Sequence, residues 1–258
     1  MHFPKPRTTL AVATPEPLSN ALPPLPRVAI VGVGGIGHPA VAALRGMRLE
    51  LTLIDDDRVE RSNLHRLLFA HESDVGRTKI DVARALLLDA GFNDLRCVAA
   101  RVRPTTALEL LSGHDVVLEG SDNFPTKFLV ADACALLGIP SIHGAAVGWL
   151  GTVFSCVPGT TACYRCLFET PPAGESLDCA TVGVHGAVTA LVGAIMARAA
   201  AGILRRPARG AGVMHGFDGW RSTFRSFDVP RRSDCPLCGT RTIRELREDM
   251  YIQPGGTV

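Results

Sequence analysis

Three groups of residues in this chain have types and spacings that could do chemistry. The first is Gly32-Val-Gly34-Gly35-Ile-Gly37, a glycine loop at the end of a short apolar run. In that setting Gly32 permits a tight turn, Gly34 lets backbone approach a phosphate, and Gly37 allows close helix packing. Backbone N–H groups and the helix dipole then hold anionic oxygen. Asp55 closes the next apolar run, where an acid commonly binds ribose hydroxyls. Alone, this loop does not separate NAD from ATP or S-adenosylmethionine.

The second group narrows the choice. Arg66 ends Ser62-Asn63-Leu64-His65-Arg66, Lys79 ends Gly76-Arg-Thr-Lys79, and Asp122 lies in Gly120-Ser-Asp122-Asn123. In a doubly wound sheet the first and fourth strands flank the ligand crevice, so Asp122 is expected to face the glycine loop across a nucleotide. A carboxylate beside phosphates calls for a metal, and Mg²⁺ takes one or two carboxylates plus phosphate oxygens. Arg66 offers a bidentate fork and Lys79 a point charge. Two cations and a Mg²⁺-ready carboxylate suit a triphosphate better than a dinucleotide. Gly35, Asp57 and Asn123, within the same motifs, are counted with the nucleotide-binding set.

The third group is a pair of cysteine knuckles, Cys163-Tyr-Arg-Cys166 and Cys235-Pro-Leu-Cys238. With eight cysteines and no secretory signal, such pairs read as zinc ligands in a reducing cytoplasm before they read as disulfides. Four thiolates at ~2.3 Å make a closed, structural Zn²⁺ site with no open position for catalysis. Cys97, Cys134 and Cys156 fall in strand or helix patterns as small core residues. His143, at a strand end, is assigned to packing or a backbone hydrogen bond, and Arg205, Arg206 and Arg209 to a solvated link.

The elements that must position these groups alternate strand and helix. Apolar runs at 27–33, 49–54, 95–102 and 114–118 read as strands. Helical spacing covers 75–90 and 124–137, and 140–147 leads into a strand at 151–157. The fold class expected is α/β: a doubly wound, mostly parallel Rossmann-like sheet with a C-terminal antiparallel extension and the zinc clip. Residues 169–179, rich in proline, glycine and acids, read as a mobile loop. A short β segment at 223–229 leads to the second knuckle. Residues 1–26 read as a flexible proline-rich leader, 27–249 as one domain, and 250–258 as a disordered tail. The apolar stretch 186–204 is read as a buried core helix and not a span. A formal net charge of +2 gives no global case for nucleic acid.

Taken together, GVGGIG, LIDDDRVERSNLHR, GRTK, SDN, HGAAVGWLGTVF, CYRC and CPLCG resemble the ThiF/MoeB/HesA family, bacterial relatives of the ubiquitin-activating enzymes. The resemblance covers 27–239. It implies ATP-dependent adenylation of the C-terminal carboxylate of a small ubiquitin-like, Gly-Gly-ended sulfur carrier or a ribosomal peptide. Asp55 would bind ribose, Asn63, Arg66 and Lys79 the phosphates, Asp122 a Mg²⁺, and the four knuckle cysteines a zinc. Family members often carry a cysteine at the position of Cys179, in some of them linked covalently to the activated glycine; an inert loop thiol is the equal alternative. The family also implies a cytoplasmic homodimer. Relatives carry an N-terminal arginine that reaches the neighbouring ATP site, whereas here Arg7 is the one arginine before Arg27. An NAD-dependent oxidoreductase, or an inactive scaffold of the same fold, are the competing readings; the first leaves Arg66, Lys79 and Asp122 without a joint purpose.

Overall fold

The computed structural model describes residues 24–251, apart from positions 90, 93, 171–181 and 207–209. The apolar runs become β1 (Arg27–Val31), β2 (Glu50–Ile54), β3 (Leu95–Val98), β4 (Val116–Glu119) and β5 (Ser141–Val147), parallel in the spatial order β3-β2-β1-β4-β5. Antiparallel β6 (Leu150–Cys156), β7 (Val213–Asp218) and β8 (Thr223–Asp228) extend the sheet to eight strands. The α/β class, the mostly parallel sheet and its antiparallel extension are therefore as expected. Strand β7 was not: the run Val-Met-His-Gly-Phe-Asp has little alternation, and it is a strand because β6 and β8 pair with it on both sides.

Helices cover both faces. Successive residues of a strand point to opposite sides. Val28 and Ile30 thus join the core under α1 (Gly37–Leu44), α2 (Lys79–Asp89) and α6 (Gly186–Arg205). Ala29 and Val31 join the core under α3 (Ala107–Leu111), α4 (Phe124–Leu137) and α5 (Tyr164–Leu167). Both faces being covered explains why β1, β2 and β4 read as continuous apolar runs.

Helix α6 is long and apolar enough to cross a membrane, with mean hydropathy 1.9. Here it is a core element: Val188, Val192, Met196, Ala200 and Ile203 pack beneath the sheet. It runs so close to the start of α1 that a Cβ on Gly193 would lie 2.4 Å from the Ile36 carbonyl oxygen.

Helix α4 begins where its cap dictates. Asn123 accepts from Thr126 N at 2.9 Å, Pro125 occupies the first turn, and Gly138 closes the helix at φ 72°. Helix α2 starts later than its apolar spacing suggests, because Gly76 at φ 90° still belongs to a turn. At the C-terminal end the described chain packs back on α4. Tyr251 is buried and donates to Asp132 Oδ2 at 2.9 Å, so the packed chain reaches at least that residue.

Candidate active site

A cavity of about 1040 Å³ opens at the C-terminal ends of β1 and β4, the switch point of the sheet. The glycine loop forms one wall. Gly32 has φ 84°, and a Cβ there would lie 2.8 Å from Ser121 N, so the turn after β4 rests directly on it. A Cβ on Gly37 would lie 2.1 Å from the Gly32 carbonyl oxygen, which is the close turn-to-helix packing its position demands. Gly34 and Gly35 face the cavity.

Asp55 is 9% exposed and braces that loop. Its Oδ2 accepts from Val33 N at 2.6 Å and its Oδ1 from Asp57 N at 2.8 Å. Burial raises its pKa, with Lys79 and those two N–H groups pulling the other way. The acid thus has a structural task before any ligand arrives, and it also lines the cavity.

Asn63, Arg66, Lys79, Asp57, Asp122 and Asn123 all line the same space. Lys79 is paired: its Nζ lies 2.6 Å from Asp57 Oδ2. Arg66 donates weakly to Ser62 O at 3.3 Å and has no carboxylate partner among the described residues. Asp122 is exposed and has no hydrogen bond or ion pair among the described residues. A guanidinium and a carboxylate, neither with an ion-pair partner among the described residues, therefore line one crevice, and groups of these two types could hold phosphate and a metal ion. Asn63 is largely buried, with Nδ2 3.3 Å from Ser62 Oγ. Asn123 spends its side-chain oxygen on capping α4.

Two features of the cavity escaped sequence reasoning. Lys127 and His143 line its inner wall, and behind them Lys127 pairs with the fully buried Glu119. His143 hydrogen-bonds Ser141 Oγ at 2.9 Å through Nε2, not a backbone group. Its Nδ1 lies 3.7 Å from Glu119 Oε2, beyond hydrogen-bonding distance. Burial lowers the His143 pKa. Tyr164, between two knuckle cysteines, also reaches this wall and packs on His143 with ring centroids 4.6 Å apart. An acid closing an otherwise apolar strand, with a lysine on the next helix, was the available signal.

The knuckles converge. The four Sγ atoms of Cys163, Cys166, Cys235 and Cys238 lie within 4.8 Å of one another. Cys163 is 3.5 Å from Cys235 and 3.8 Å from Cys166, and Cys166 is 3.4 Å from Cys238. A tetrahedron with Zn–S bonds of ~2.3 Å has edges of about 3.8 Å, so the four thiols are close enough together to hold such an ion. Cys134 and Cys156 are buried core thiols as expected, while Cys97 is half-buried. Between the knuckle cysteines, Arg165 forks onto Asp132 of α4 at 2.7–3.1 Å, tying the cluster to the helix that follows Asp122. Cys179 and Arg209 lie outside the described residues.

Comparison with known proteins agrees with this architecture. The model of the ThiF family matches residues 16–237. The SAMP-activating enzyme E1 of Haloferax volcanii is 38% identical over 233 residues, covering 88% of this chain and 85% of that protein. The sulfur carrier protein adenylyltransferase of Thermus thermophilus is 39% identical over 231 residues, covering 85% and 84%. Other curated relatives are longer, and the chain spans about half of them (49%). Among solved structures, E. coli MccB with ATP superposes with a TM-score of 0.71 at 23% identity, over 83% of this chain and 67% of that one, a likeness of fold. By the extent of the family match and the identity to two proteins of similar length, this chain belongs to the ThiF family.

Proposed function

We propose that this protein is an ATP-dependent adenylyltransferase acting on the C-terminal carboxylate of a small Gly-Gly-ended carrier protein or a ribosomal peptide. The observation that carries the reading is the cavity at the switch point, where a glycine loop, Arg66, Lys79 and an unpaired Asp122 converge. The names of the two relatives, one a SAMP-activating enzyme and one a sulfur carrier protein adenylyltransferase, support a carrier as substrate.

The chemistry follows from charge. A substrate carboxylate oxygen attacks the α-phosphorus of ATP, the bond from that phosphorus to the bridging oxygen breaks, and pyrophosphate leaves. No general base is required, because the carboxylate is ionised at neutral pH. Backbone N–H groups of the glycine loop and the Arg66 and Lys79 cations face the charge that builds on the phosphoryl oxygens. Asp55 orients the ribose while bracing the loop, with Asn63 beside the phosphates. Asp122 would hold a Mg²⁺, which supplies further neutralisation of the phosphates. The four knuckle cysteines would hold a structural Zn²⁺ away from the reaction.

Transfer of the acyl group to Cys179 as a thioester, releasing AMP, would follow the adenylation step. A homodimer and a cytoplasmic setting complete the reading. The test is ATP–pyrophosphate exchange. We expect exchange only when a Gly-Gly-ended carrier or cognate peptide is present, and its loss in a folded Asp122→Ala variant. A nicotinamide fluorescence response with no exchange would move the assignment to the oxidoreductase reading.

A further inference from the structure

Behind the inner wall of the cavity, which Lys127 lines, lies a charge pair for which the adenylation chemistry provides no task. Glu119 ends β4 with 0% exposure, and Lys127 in α4 is 4% exposed. Lys127 Nζ donates to Glu119 Oε2 at 2.8 Å and to the Gly144 carbonyl of β5 at 2.6 Å. The other carboxylate oxygen, Oε1, accepts from Ser121 N at 2.8 Å and from Ser121 Oγ. One buried carboxylate therefore holds the turn that carries Asp122, and its counter-ion is pinned to a third element. That same turn abuts the glycine loop, since Gly120 and Ser121 backbone atoms lie 2.8–3.1 Å from where a Cβ of Gly32 would be. Gly120 N also donates to Val31 O at 2.9 Å.

Two charges in such a place are an expensive way to fill space, because apolar residues of equal volume commonly do as well or better for stability. A task in geometry accounts for them. We infer that Glu119 and Lys127 are positioning residues that hold the 120–122 turn against the glycine loop and so set where Asp122 presents its carboxylate to metal and phosphate. This rests on the reading of Asp122 as the Mg²⁺ ligand. Burial alone would raise the Glu119 pKa, but the Lys127 charge outweighs it and keeps the acid below the usual carboxylate range. The turn is thus held by an ionised acceptor throughout the neutral range.

The test is a Mg²⁺ titration of ATP binding and of carrier-dependent exchange on the full chain, comparing wild type with Lys127→Arg, Lys127→Met and Glu119→Gln. Lys127→Met and Glu119→Gln are expected to raise the Mg²⁺ concentration for half-maximal exchange tenfold or more and to lower kcat. KM for the carrier should move less than twofold, and Lys127→Arg should recover most of the loss. In an Asp122→Ala background the Lys127 change should shift the Mg²⁺ dependence of ATP binding no further. Folded variants with wild-type Mg²⁺ dependence, or additive effects with Asp122→Ala, would overturn the role. If Lys127→Met does not fold, the isosteric Glu119→Gln carries the same comparison. A wild-type protein that binds no Mg²⁺·ATP at all would instead remove the adenylation reading, and this role with it.

Discussion

Lys79 Nζ lies 2.6 Å from Asp57 Oδ2, with the lysine side chain 11% exposed and the aspartate 64%. The cation is therefore held at the edge of the cavity by a partner that water also reaches. A pair with so exposed a member contributes about 0–1 kcal/mol to stability. The same ammonium facing phosphates in a crevice screened from water is worth far more to a reaction.

Lys79→Ala should accordingly separate stability from function. Its melting temperature should stay within a few degrees of wild type, while exchange falls by roughly a hundredfold or more. Melts and pyrophosphate exchange on one preparation decide the matter. Parallel loss of both would make Lys79 a structural residue of α2.

The glycine loop offers a sharper contrast. A Cβ at position 37 would sit 2.1 Å from the Gly32 carbonyl oxygen, a backbone atom that cannot step aside, whereas a Cβ at Gly34 meets nothing within 4 Å. Gly37→Ala should cost ~3 kcal/mol or more by forcing β1 and α1 apart. Gly34→Ala should fold as wild type yet weaken ATP about tenfold, since the methyl enters the space a phosphate would use. Urea unfolding and ATP titration of the two variants give the comparison; equal stability for both would refute the packing argument.

What the sequence could disclose depended on how local the cause was. The loop 32–37 and the two knuckles are short-range patterns; the loop lies at the end of β1 beside the cavity, and the four knuckle cysteines cluster. Strand β7 is different, because Val213–Asp218 is a strand only through β6 and β8, both distant along the chain or across a hairpin. The Glu119–Lys127 and Asp132–Arg165–Tyr251 networks were hidden for a related reason. Charged residues on a helix read as surface until the partner that neutralises them in the core is known. Gly32, Asp55 and Asp122 line the cavity, but the bracing of the loop by Asp55 needed the two N–H contacts to be seen.

The cysteine cluster predicts one zinc per chain, measurable by elemental analysis. Burial raises the Cys163 and Cys166 thiols above their usual value, while at Cys235 burial is outweighed by hydrogen bonds that lower it; metal binding needs thiolates, so it releases protons and affinity should fall with acidity. Cys235→Ser, or exhaustive chelation, should remove ~3 kcal/mol or more, a fall of about 6–12 °C in melting temperature at this size. Exchange measured at 25 °C should decline only as the fold is lost, because the cluster lies behind the cavity wall. A metal-free chain of undiminished stability would count against the site.

His38 supplies a pH signature. It is 1% exposed, and neither ring nitrogen has a hydrogen-bond partner among the described residues. Burial, and then the charge of Lys79, push its pKa down to about 4. An unfolded histidine titrates near 6.5. The folded state therefore stays neutral while the unfolded state takes up a proton, so stability is unaffected above pH ~6.5, falls as pH drops from there to about 4, and levels off below. An interval of about 2.5 pH units corresponds to roughly 3 kcal/mol. His38→Leu fills the site without a titrating group or unpartnered ring nitrogens, so its stability should differ from wild type by a constant amount above pH 7 and gain on it progressively below 6. Carboxylates that titrate in the same range are common to both proteins, so the difference between their urea-unfolding free energies at pH 7.5, 5.5 and 4.5 isolates His38. A constant difference across the three would mean that another group governs the acid response.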